Sequence, residues 1–274
     1  MTDYDDEDQE MNRLADWQAA AQGCGLLILV AWAALFAVII AISAPSAHGQ
    51  DVILPVYNVN VGEQALRLPP AGKKIWFIVN PNSGPGSSRD AAFNRFITGA
   101  NAAKQRVLFY IDLVAFPGDG LTPPSAKEHV KTPQELVNER TLYSKWYGSL
   151  QFDGWFFDDV RAGMNESFLC ISSWPGEKVM NPGCAWAPPA SLSKAKVVIS
   201  EQAKAWPRKP TAWEIANKNR CIVMGLLISQ ASLPAFTEST RGMAMRYASP
   251  LDDNWKNGQS AYSTLTPYLP TLLK

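Results

Sequence analysis

The sequence contains very little cysteine and histidine, which limits the kinds of site that it can build. Four of its 274 residues are cysteine and two are histidine, and His129 is the only histidine after residue 48. Neither a CxxC nor an HxxxH spacing occurs, so a zinc site is disfavoured. Four cysteines are also too few for a fold that is built on disulfides.

Cys170 and Cys184 are the candidate pair for a disulfide. They flank a segment rich in tryptophan, proline and glycine. A bond between them would close a short loop if the domain is exported. Two separate buried thiols are the alternative, and the sequence leaves both open.

Neither sign of charge dominates the chain. The formal net charge is zero, but seven of the 25 acidic residues precede residue 17, where Arg13 is the only base. The rest of the chain is mildly basic and lacks the basic cluster that binds nucleic acid. We therefore do not expect nucleic acid as a partner.

One long apolar run lies near the N-terminus. Residues 25–42 carry no charge and are just long enough to cross a bilayer as a helix. The following Ala47-His48-Gly49 resembles a signal-peptidase site, so an uncleaved anchor and a cleaved signal peptide both fit. We expect the main domain to be exported and anchored to a membrane through residues 25–42, or else secreted. The predicted organisation is an acidic tail over 1–23, a transmembrane helix or signal segment over 24–43, a linker over 44–51 and one domain over 52–274.

Beyond the linker, short apolar runs alternate with polar segments that suit helices, which is the pattern of an α/β fold. Eight strands in this length predict a (β/α)8 TIM-like barrel, with an open doubly wound sheet as the alternative. One helix is expected to be degenerate or lost, and the link between the first two strands contains Pro69 and Pro70. The predicted strands are Val52–Tyr57, Ile75–Asn80, Val107–Asp112, Gly154–Asp158, Lys178–Asn181, Lys196–Ser200, Cys221–Leu227 and Ala244–Ala248, and the clearest helices are Arg89–Lys104, Pro133–Tyr147 and Trp213–Lys218.

Polar residues follow almost every predicted strand. In a (β/α)8 barrel the carboxyl ends of the strands meet at one rim, here called the mouth, where such enzymes place their active sites. Aromatic faces near that rim suit the apolar faces of sugar rings, although a single tryptophan or tyrosine is more often part of a core. The candidate substrate-binding residues are Tyr57, Asn80, Asn82, Tyr110, Asp112, Asn181, Trp174 and Trp186.

The segment DGWFFDD, residues 153–159, is the most informative part of the sequence. Its apolar strand ends in two adjacent carboxylates, Asp158 and Asp159, and Glu201 ends a later apolar strand. Apolar surroundings raise a carboxyl pKa, as a general acid requires, while a partner carboxylate stays ionised as base or nucleophile. Carboxylates that flank a cavity are the minimum apparatus for glycoside hydrolysis. The structural alternative is that the aspartates cap a turn and Glu201 begins a solvated helix.

With these segments in view, the chain resembles the spherulation-specific family, spherulin 4, which includes fungal and bacterial hydrolases of galactosamine-containing exopolysaccharides. The resemblance extends from Val52 to the C-terminus. It is carried by the stretches ILPVY, IVNPNSGPG, DGWFFDD, MNPG, VVISEQ and TPYLP, in that order.

The resemblance implies an enzyme that cuts an α-1,4-linked, N-acetylgalactosamine-rich or galactosamine-rich polymer internally, without metal or organic cofactor. It also implies catalytic roles for Asp158, Asp159 and Glu201. The family usually has Asp-Glu at the first pair, so the Asp159 side chain is one methylene shorter here. The stretch between Asp159 and Lys178 is short as well, and we expect a trimmed helix in it.

Two other functions fit the same residues. A cell-surface protein that binds glycan without cleaving it would use the same mouth and aromatic residues. Alternatively, Asp158, Asp159 and Glu201 would form a divalent-metal cluster for phosphoryl or enolate chemistry.

Overall fold

A computed structural model describes residues 50–68, 72–116, 127–184, 186–201, 209–251 and 261–274. The predicted acidic tail, the transmembrane or signal segment and all but the last two residues of the predicted linker lie outside these ranges. Among the residues that are described, no helix is both long enough and apolar enough to span a membrane.

Eight parallel strands close into a barrel, which confirms the predicted fold. Each strand pairs with the next one in the chain, and the last strand pairs with the first. This closure rules out the open doubly wound sheet. The strands are β1 (Asp51–Val56), β2 (Ile75–Val79), β3 (Arg106–Asp112), β4 (Gly154–Asp158), β5 (Glu177–Met180), β6 (Lys196–Ser200), β7 (Cys221–Gly225) and β8 (Met245–Ala248).

Seven α-helices are described in the connections and at the end of the chain. They are α1 (Val59–Leu66), α2 (Ala91–Ala102), α3 (Pro133–Tyr147), α4 (Asn165–Ser172), α5 (Ala212–Ala216), α6 (Leu233–Ser239) and α7 (Leu269–Leu272). Short 3₁₀ turns lie at Ala190–Leu192 and Lys218–Arg220.

The connection between β1 and β2 contains a helix, although its prolines suggested that the helix there would be degenerate or lost. Asn58 caps α1 by accepting a hydrogen bond from the Asn60 N–H, 3.0 Å away, and the helix ends at Leu66, before Pro69. Among the described residues, the reduced connection is instead the one between β5 and β6, which contains only the turn Ala190–Leu192. Helix α4 is two turns long, in keeping with the expected trimming.

Trp174 belongs to the core, so its prediction as a sugar-binding residue is wrong. Its ring packs edge-on against Trp155 with ring centroids 4.9 Å apart, and the Arg140 guanidinium lies 5.3 Å from its centroid. Only 3% of its surface is exposed. Trp155 and Phe109 belong to the same aromatic layer, in which Phe109 stacks on Tyr143 of α3. The layer lies between the barrel and its helices because alternate strand residues face outward.

The disulfide between Cys170 and Cys184 is not formed, and both are free thiols. The Cys170 Sγ instead donates to the Pro133 carbonyl, 3.7 Å away, while Cys184 is exposed. The alternative of separate thiols therefore describes the structure better, except that Cys170 is only half-buried and Cys184 is exposed.

A short antiparallel ribbon supports the barrel beside β3. It pairs Val114–Ala115 with His129–Val130. Lys131 follows the ribbon and forms a buried ion pair with Glu139 of α3, with 2.5 Å between Nζ and Oε1. The positive charge of Lys131 is thereby neutralised close to the end of β3.

Two glycines allow close contact where β4 and β5 begin. A Cβ on Gly154 would lie 2.1 Å from the Glu177 carbonyl oxygen, and one on Gly176 would lie 2.6 Å from the Asp153 carbonyl oxygen. Gly176 also has a φ of +82°, which favours glycine. The glycine of DGWFFDD therefore sets the position of the strand that delivers Asp158.

We expect Gly154→Ala to lower the free energy of unfolding by at least about 2 kcal/mol, because the clash is with backbone and cannot be relieved by a rotamer change. Gly99→Ala in α2 is the matched control, since its Cβ would make an ordinary 3.5 Å contact with Leu66. That change should stabilise the protein by roughly 0.5–1 kcal/mol through helix propensity. Urea unfolding of both variants tests this, and equal stability of Gly154→Ala and wild type would contradict it.

Candidate active site

Three polar side chains from neighbouring strands meet at the mouth of the barrel. Asp158 is the last residue of β4, Asn181 follows β5 and Glu201 follows β6. β6 contains a register irregularity between Val198 and Ser200. Such bulges re-aim side chains and are common beside active sites.

The Asn181 side-chain amide joins the two carboxylates. Its Nδ2 donates to Asp158 Oδ1 at 2.7 Å and to Glu201 Oε2 at 2.6 Å, and its Oδ1 accepts from the Gly183 N–H at 3.1 Å. Because both carboxylate oxygens bond to one nitrogen, they lie no more than about 5.3 Å apart. The bond from Gly183 fixes which end of the amide faces the carboxylates.

Each of the two carboxylates also accepts a hydrogen bond from a tyrosine hydroxyl. The Tyr110 hydroxyl donates to Asp158 Oδ2 at 2.8 Å, and the Tyr262 hydroxyl donates to Glu201 Oε1 at 2.7 Å. We call the chain of Tyr110, Asp158, Asn181, Glu201 and Tyr262 the carboxylate bridge. Every carboxylate oxygen in it accepts at least one hydrogen bond.

Tyr262 is a site residue that the sequence did not reveal. It lies in the segment after the last strand rather than at a strand end, so the rule that found the other members does not reach it. Its ring stacks on Tyr57 with centroids 5.7 Å apart. Tyr57 also meets Tyr110 edge-on at 6.1 Å. The three tyrosines form an aromatic wall along the bridge.

The pKa of Asp158 is raised well above its usual value. Burial is the largest cause and the negative charge of Glu201 is the next, while the hydrogen bonds from Tyr110 and from the Asp159 N–H oppose them. The Glu201 carboxylate thus makes Asp158 easier to protonate than a free aspartic acid, since ionising both places like charges together. The same surroundings raise the pKa of Tyr110 and Tyr262, chiefly by burial, so both phenols remain neutral donors.

Asp159 does not join the bridge through its carboxylate. Its backbone N–H donates to Asp158 Oδ1 at 2.9 Å, and its φ is +49°. Burial raises the pKa of its carboxyl group, and the charge of Arg161 opposes that rise. The structure therefore brings Asp158 and Glu201 together and turns the third predicted carboxylate aside.

Asp112 lies beneath the mouth rather than in it. Only 5% of it is exposed, and its Oδ1 accepts from the Val114 N–H at 2.8 Å. A direct contact with substrate, as the sequence suggested, does not fit this burial.

A groove extends from the mouth along the first two connections. Its volume is about 940 Å³, and Tyr57, Asn80 and Asn82 are among the residues that line it. Asn80 is 1% exposed, and its Oδ1 accepts from the Gly84 N–H at 2.9 Å, so it also sets the loop geometry. Trp186 packs on Phe168 of α4 with centroids 5.7 Å apart and does not line this groove.

Among the described residues, no three His, Cys, Asp or Glu side chains are grouped as metal ligands would be. This includes Asp158, Asp159 and Glu201, the three residues of the metal-cluster alternative. The bridge holds its carboxylates through neutral donors instead.

The model of the spherulation-specific family 4 matches residues 65–173, which confirms the family resemblance over this part of the chain. The match includes Asp158 and Asp159 but ends before Asn181 and Glu201. No curated protein sequence matches the chain.

Two solved structures illustrate the similarity to known folds. The noncanonic maltogenic alpha-amylase AmyB from Thermotoga neapolitana is 10% identical, with 81% of this chain and 74% of that chain covered and a TM-score of 0.49. The GH99 endo-alpha-mannosidase from Bacteroides thetaiotaomicron is 11% identical, with 79% and 78% covered and a TM-score of 0.43. TM-scores this low establish neither the fold nor the function of this chain.

The raised pKa of Asp158 makes a prediction about stability. The folded state holds a proton on Asp158 more tightly than the unfolded chain does, so the contribution of Asp158 to stability falls as pH rises above about 4. Asp158→Asn cannot ionise and should raise Tm at pH 8 by at least about 2 °C, a change of roughly 1 kcal/mol. The gain should vanish near pH 4.

Thermal unfolding of the full-length chain at both pH values measures this effect. Glu166→Gln, which removes an exposed carboxylate of α4, is the control and should leave Tm unchanged at either pH. A lower Tm for Asp158→Asn at pH 8 would show that Asp158 is not under electrostatic strain.

Proposed function

We propose that this protein is a glycoside hydrolase in which Asp158 and Glu201 are the catalytic pair. The observation that carries the proposal is the bridge itself, two half-buried carboxylates held by one neutral amide at the mouth of a barrel. One proton shared by two carboxylates supplies both a general acid and an ionised partner, which glycosidic bond cleavage requires.

The spacing of the pair favours hydrolysis with retention of anomeric configuration. Retaining enzymes hold their carboxyl groups about 5–5.5 Å apart, whereas inverting enzymes need about 6.5–9.5 Å to admit a water molecule. Asn181 holds one oxygen of Asp158 within about 5.3 Å of one oxygen of Glu201, which favours the closer of these two arrangements.

The reaction then has two steps. In the first, one carboxylate attacks the anomeric carbon and the other carboxyl group gives its proton to the departing glycosidic oxygen. In the second, the group that lost the proton takes one from water, the hydroxide attacks the anomeric carbon, and the bond between sugar and enzyme breaks. The enzyme regains its single shared proton.

We propose as substrate an α-1,4-linked exopolysaccharide that contains N-acetylgalactosamine or galactosamine. The family match over residues 65–173 supports the substrate class. The groove supports binding of several sugar units, because its volume of about 940 Å³ approaches the upper end of the usual range for ligand pockets. Its amide-bearing residues, among them Asn58, Asn60 and Asn82, are suited to sugar hydroxyl and acetamido groups. Cleavage within a long chain follows if the polymer continues along the groove.

The proposed location of the enzyme is outside the membrane that residues 25–42 would cross. Uncleaved, this segment would anchor the barrel at the cell surface or in the periplasm. Cleaved, it would release the enzyme. In either case the barrel would meet an extracellular polymer.

The first prediction of this proposal concerns the two carboxylates. Full-length protein should release oligosaccharides from the galactosamine-containing polymer, and Asp158→Asn and Glu201→Gln should each lower kcat by roughly 10²–10⁴-fold. Mass spectrometry of the released products measures this, with Glu166→Gln as the control that keeps full activity. If folded wild type binds the polymer and releases nothing, the protein is the glycan-binding alternative instead.

A second prediction concerns stereochemistry. Proton NMR of the first products should show the α anomer before mutarotation, because two successive displacements at the anomeric carbon of an α-linked substrate retain its configuration. Initial formation of the β anomer would exclude the two-step mechanism. Azide added to the two carboxylate variants identifies the nucleophile, since only the variant that lacks it should yield a β-glycosyl azide.

A further inference from the structure

The TPYLP stretch, residues 266–270, carries part of the family resemblance, but the proposed reaction does not use it. Two of its side chains bind the barrel. The Thr266 Oγ1 donates to the carbonyl of Ala248, the last residue of β8, at 2.6 Å. The Tyr268 hydroxyl donates at 2.8 Å to the carbonyl of Ile228, which lies shortly after β7. TPYLP is therefore fastened to the mouth ends of β7 and β8.

The chain just before Tyr262 is held as well. Tyr247 of β8 donates its hydroxyl to the carbonyl of Ala261, the residue that precedes Tyr262. Both Ala261 and Tyr262 are buried. We call residues 261–268 the anchored segment, because hydrogen bonds to the barrel lie on both sides of Tyr262.

The anchored segment brings Tyr262 to Glu201. The Tyr262 hydroxyl donates to Glu201 Oε1 at 2.7 Å, while Asn181 occupies Oε2 at 2.6 Å. The last side-chain torsion of a glutamate is only weakly restricted, so one donor alone would leave the Glu201 carboxylate free to turn. β6, β7 and β8 are neighbours in the barrel. A segment fastened to β7 and β8 therefore lies beside the strand that ends in Glu201.

We propose that TPYLP is an anchor that makes Tyr262 a positioning residue for Glu201. Thr266 and Tyr268 hold the anchored segment on the barrel, and the segment holds the Tyr262 hydroxyl against Glu201 Oε1. With a donor on each oxygen, the carboxylate keeps one orientation during the reaction. The effect on catalysis rests on the proposed function, whereas the coupling between the anchor and the Tyr262 hydrogen bond does not depend on it.

Tyr262→Phe tests the positioning role, because it keeps the ring that stacks on Tyr57 and removes only the hydroxyl. On the galactosamine-containing polymer kcat should fall about ten-fold with KM within about two-fold of wild type, since a hydrogen bond to a charged group is lost. One limb of the pH–rate profile should move to higher pH, because loss of a donor favours the protonated carboxyl group. Among the described residues, the titratable groups that face Glu201 are Tyr57, Asp158 and Tyr262, and this variant changes only the last. A purely structural tyrosine would leave the profile where it is.

Thr266→Val tests the anchor, because it removes the hydroxyl and keeps the shape of the buried side chain. It should lower the kcat of wild type roughly three- to ten-fold but lower that of Tyr262→Phe no further, since both changes remove the same hydrogen bond. Tyr268→Phe should behave in the same way. Thr240→Val is the matched control, because Thr240 is also buried and its Oγ1 donates to the Phe236 carbonyl at 2.9 Å, at the end of α6. It should lower stability and leave kcat unchanged.

Urea unfolding of the same full-length proteins needs no substrate. Non-additive losses for Thr266→Val and Tyr262→Phe, both in kcat and in the free energy of unfolding, support the proposal. Additive losses in the free energy of unfolding overturn the anchoring, whether or not the wild type cleaves the polymer. Non-additive losses in stability with additive losses in kcat, or with an unchanged kcat in Tyr262→Phe, overturn the positioning role. A wild type that folds and cleaves nothing counts against the proposed function, and unfolding then decides the anchoring alone.

Discussion

The hydrogen bonds from Asn181 to Asp158 and Glu201 are the constraint on which the mouth of this barrel depends. Two carboxylates within about 5.3 Å of each other repel strongly in a partly buried site, so they stay together only if donors occupy their oxygens. Three further donors come from other elements of the rim. β3 supplies Tyr110, the turn after β4 supplies the Asp159 N–H, and the segment after β8 supplies Tyr262. The order of the strands around the barrel thus fixes the positions of the two carboxylates.

Much of this arrangement could be predicted because it follows from strand ends. Apolar runs identify strands, parallel strands in a closed barrel end on one rim, and so Asp158, Asn181 and Glu201 had to be near one another. Strand ends do not predict whether a single aromatic side chain points into the mouth or packs in the core. Trp174 looks as suitable for sugar as Tyr110 does, but packing against Trp155 places it outside the barrel. Tyr262 and helix α1 were missed because both lie in connections, where tertiary contacts and a local cap decide the structure.

The neighbouring aspartates of DGWFFDD show that the sequence pattern alone does not predict which carboxylates reach the site. Strand alternation places Asp158 and Asp159 on opposite faces, so a prediction that both act in one site needs a break in the strand. The break exists, as the left-handed conformation of Asp159, but it presents the N–H to the site and not the carboxylate. The Asp159 side chain is one methylene shorter than the glutamate usual in the family, but this does not affect the hydrogen bond from its backbone N–H to Asp158. The backbone amide reaches Asp158 whichever acid stands at position 159.

The donors that hold Asp158 and Glu201, among the described residues, are all neutral, and this suits the proposed chemistry better than a cation would. A lysine or arginine between Asp158 and Glu201 would stabilise both as anions and remove the shared proton. An amide and two phenols fix the same positions by hydrogen bonding and leave the pair free to hold one proton between them. Lys131, a buried cation that follows the ribbon beside β3, is neutralised by Glu139 of α3. In the proposed reaction, neutral donors therefore keep both carboxylates in place while a proton is given up by one of them and regained.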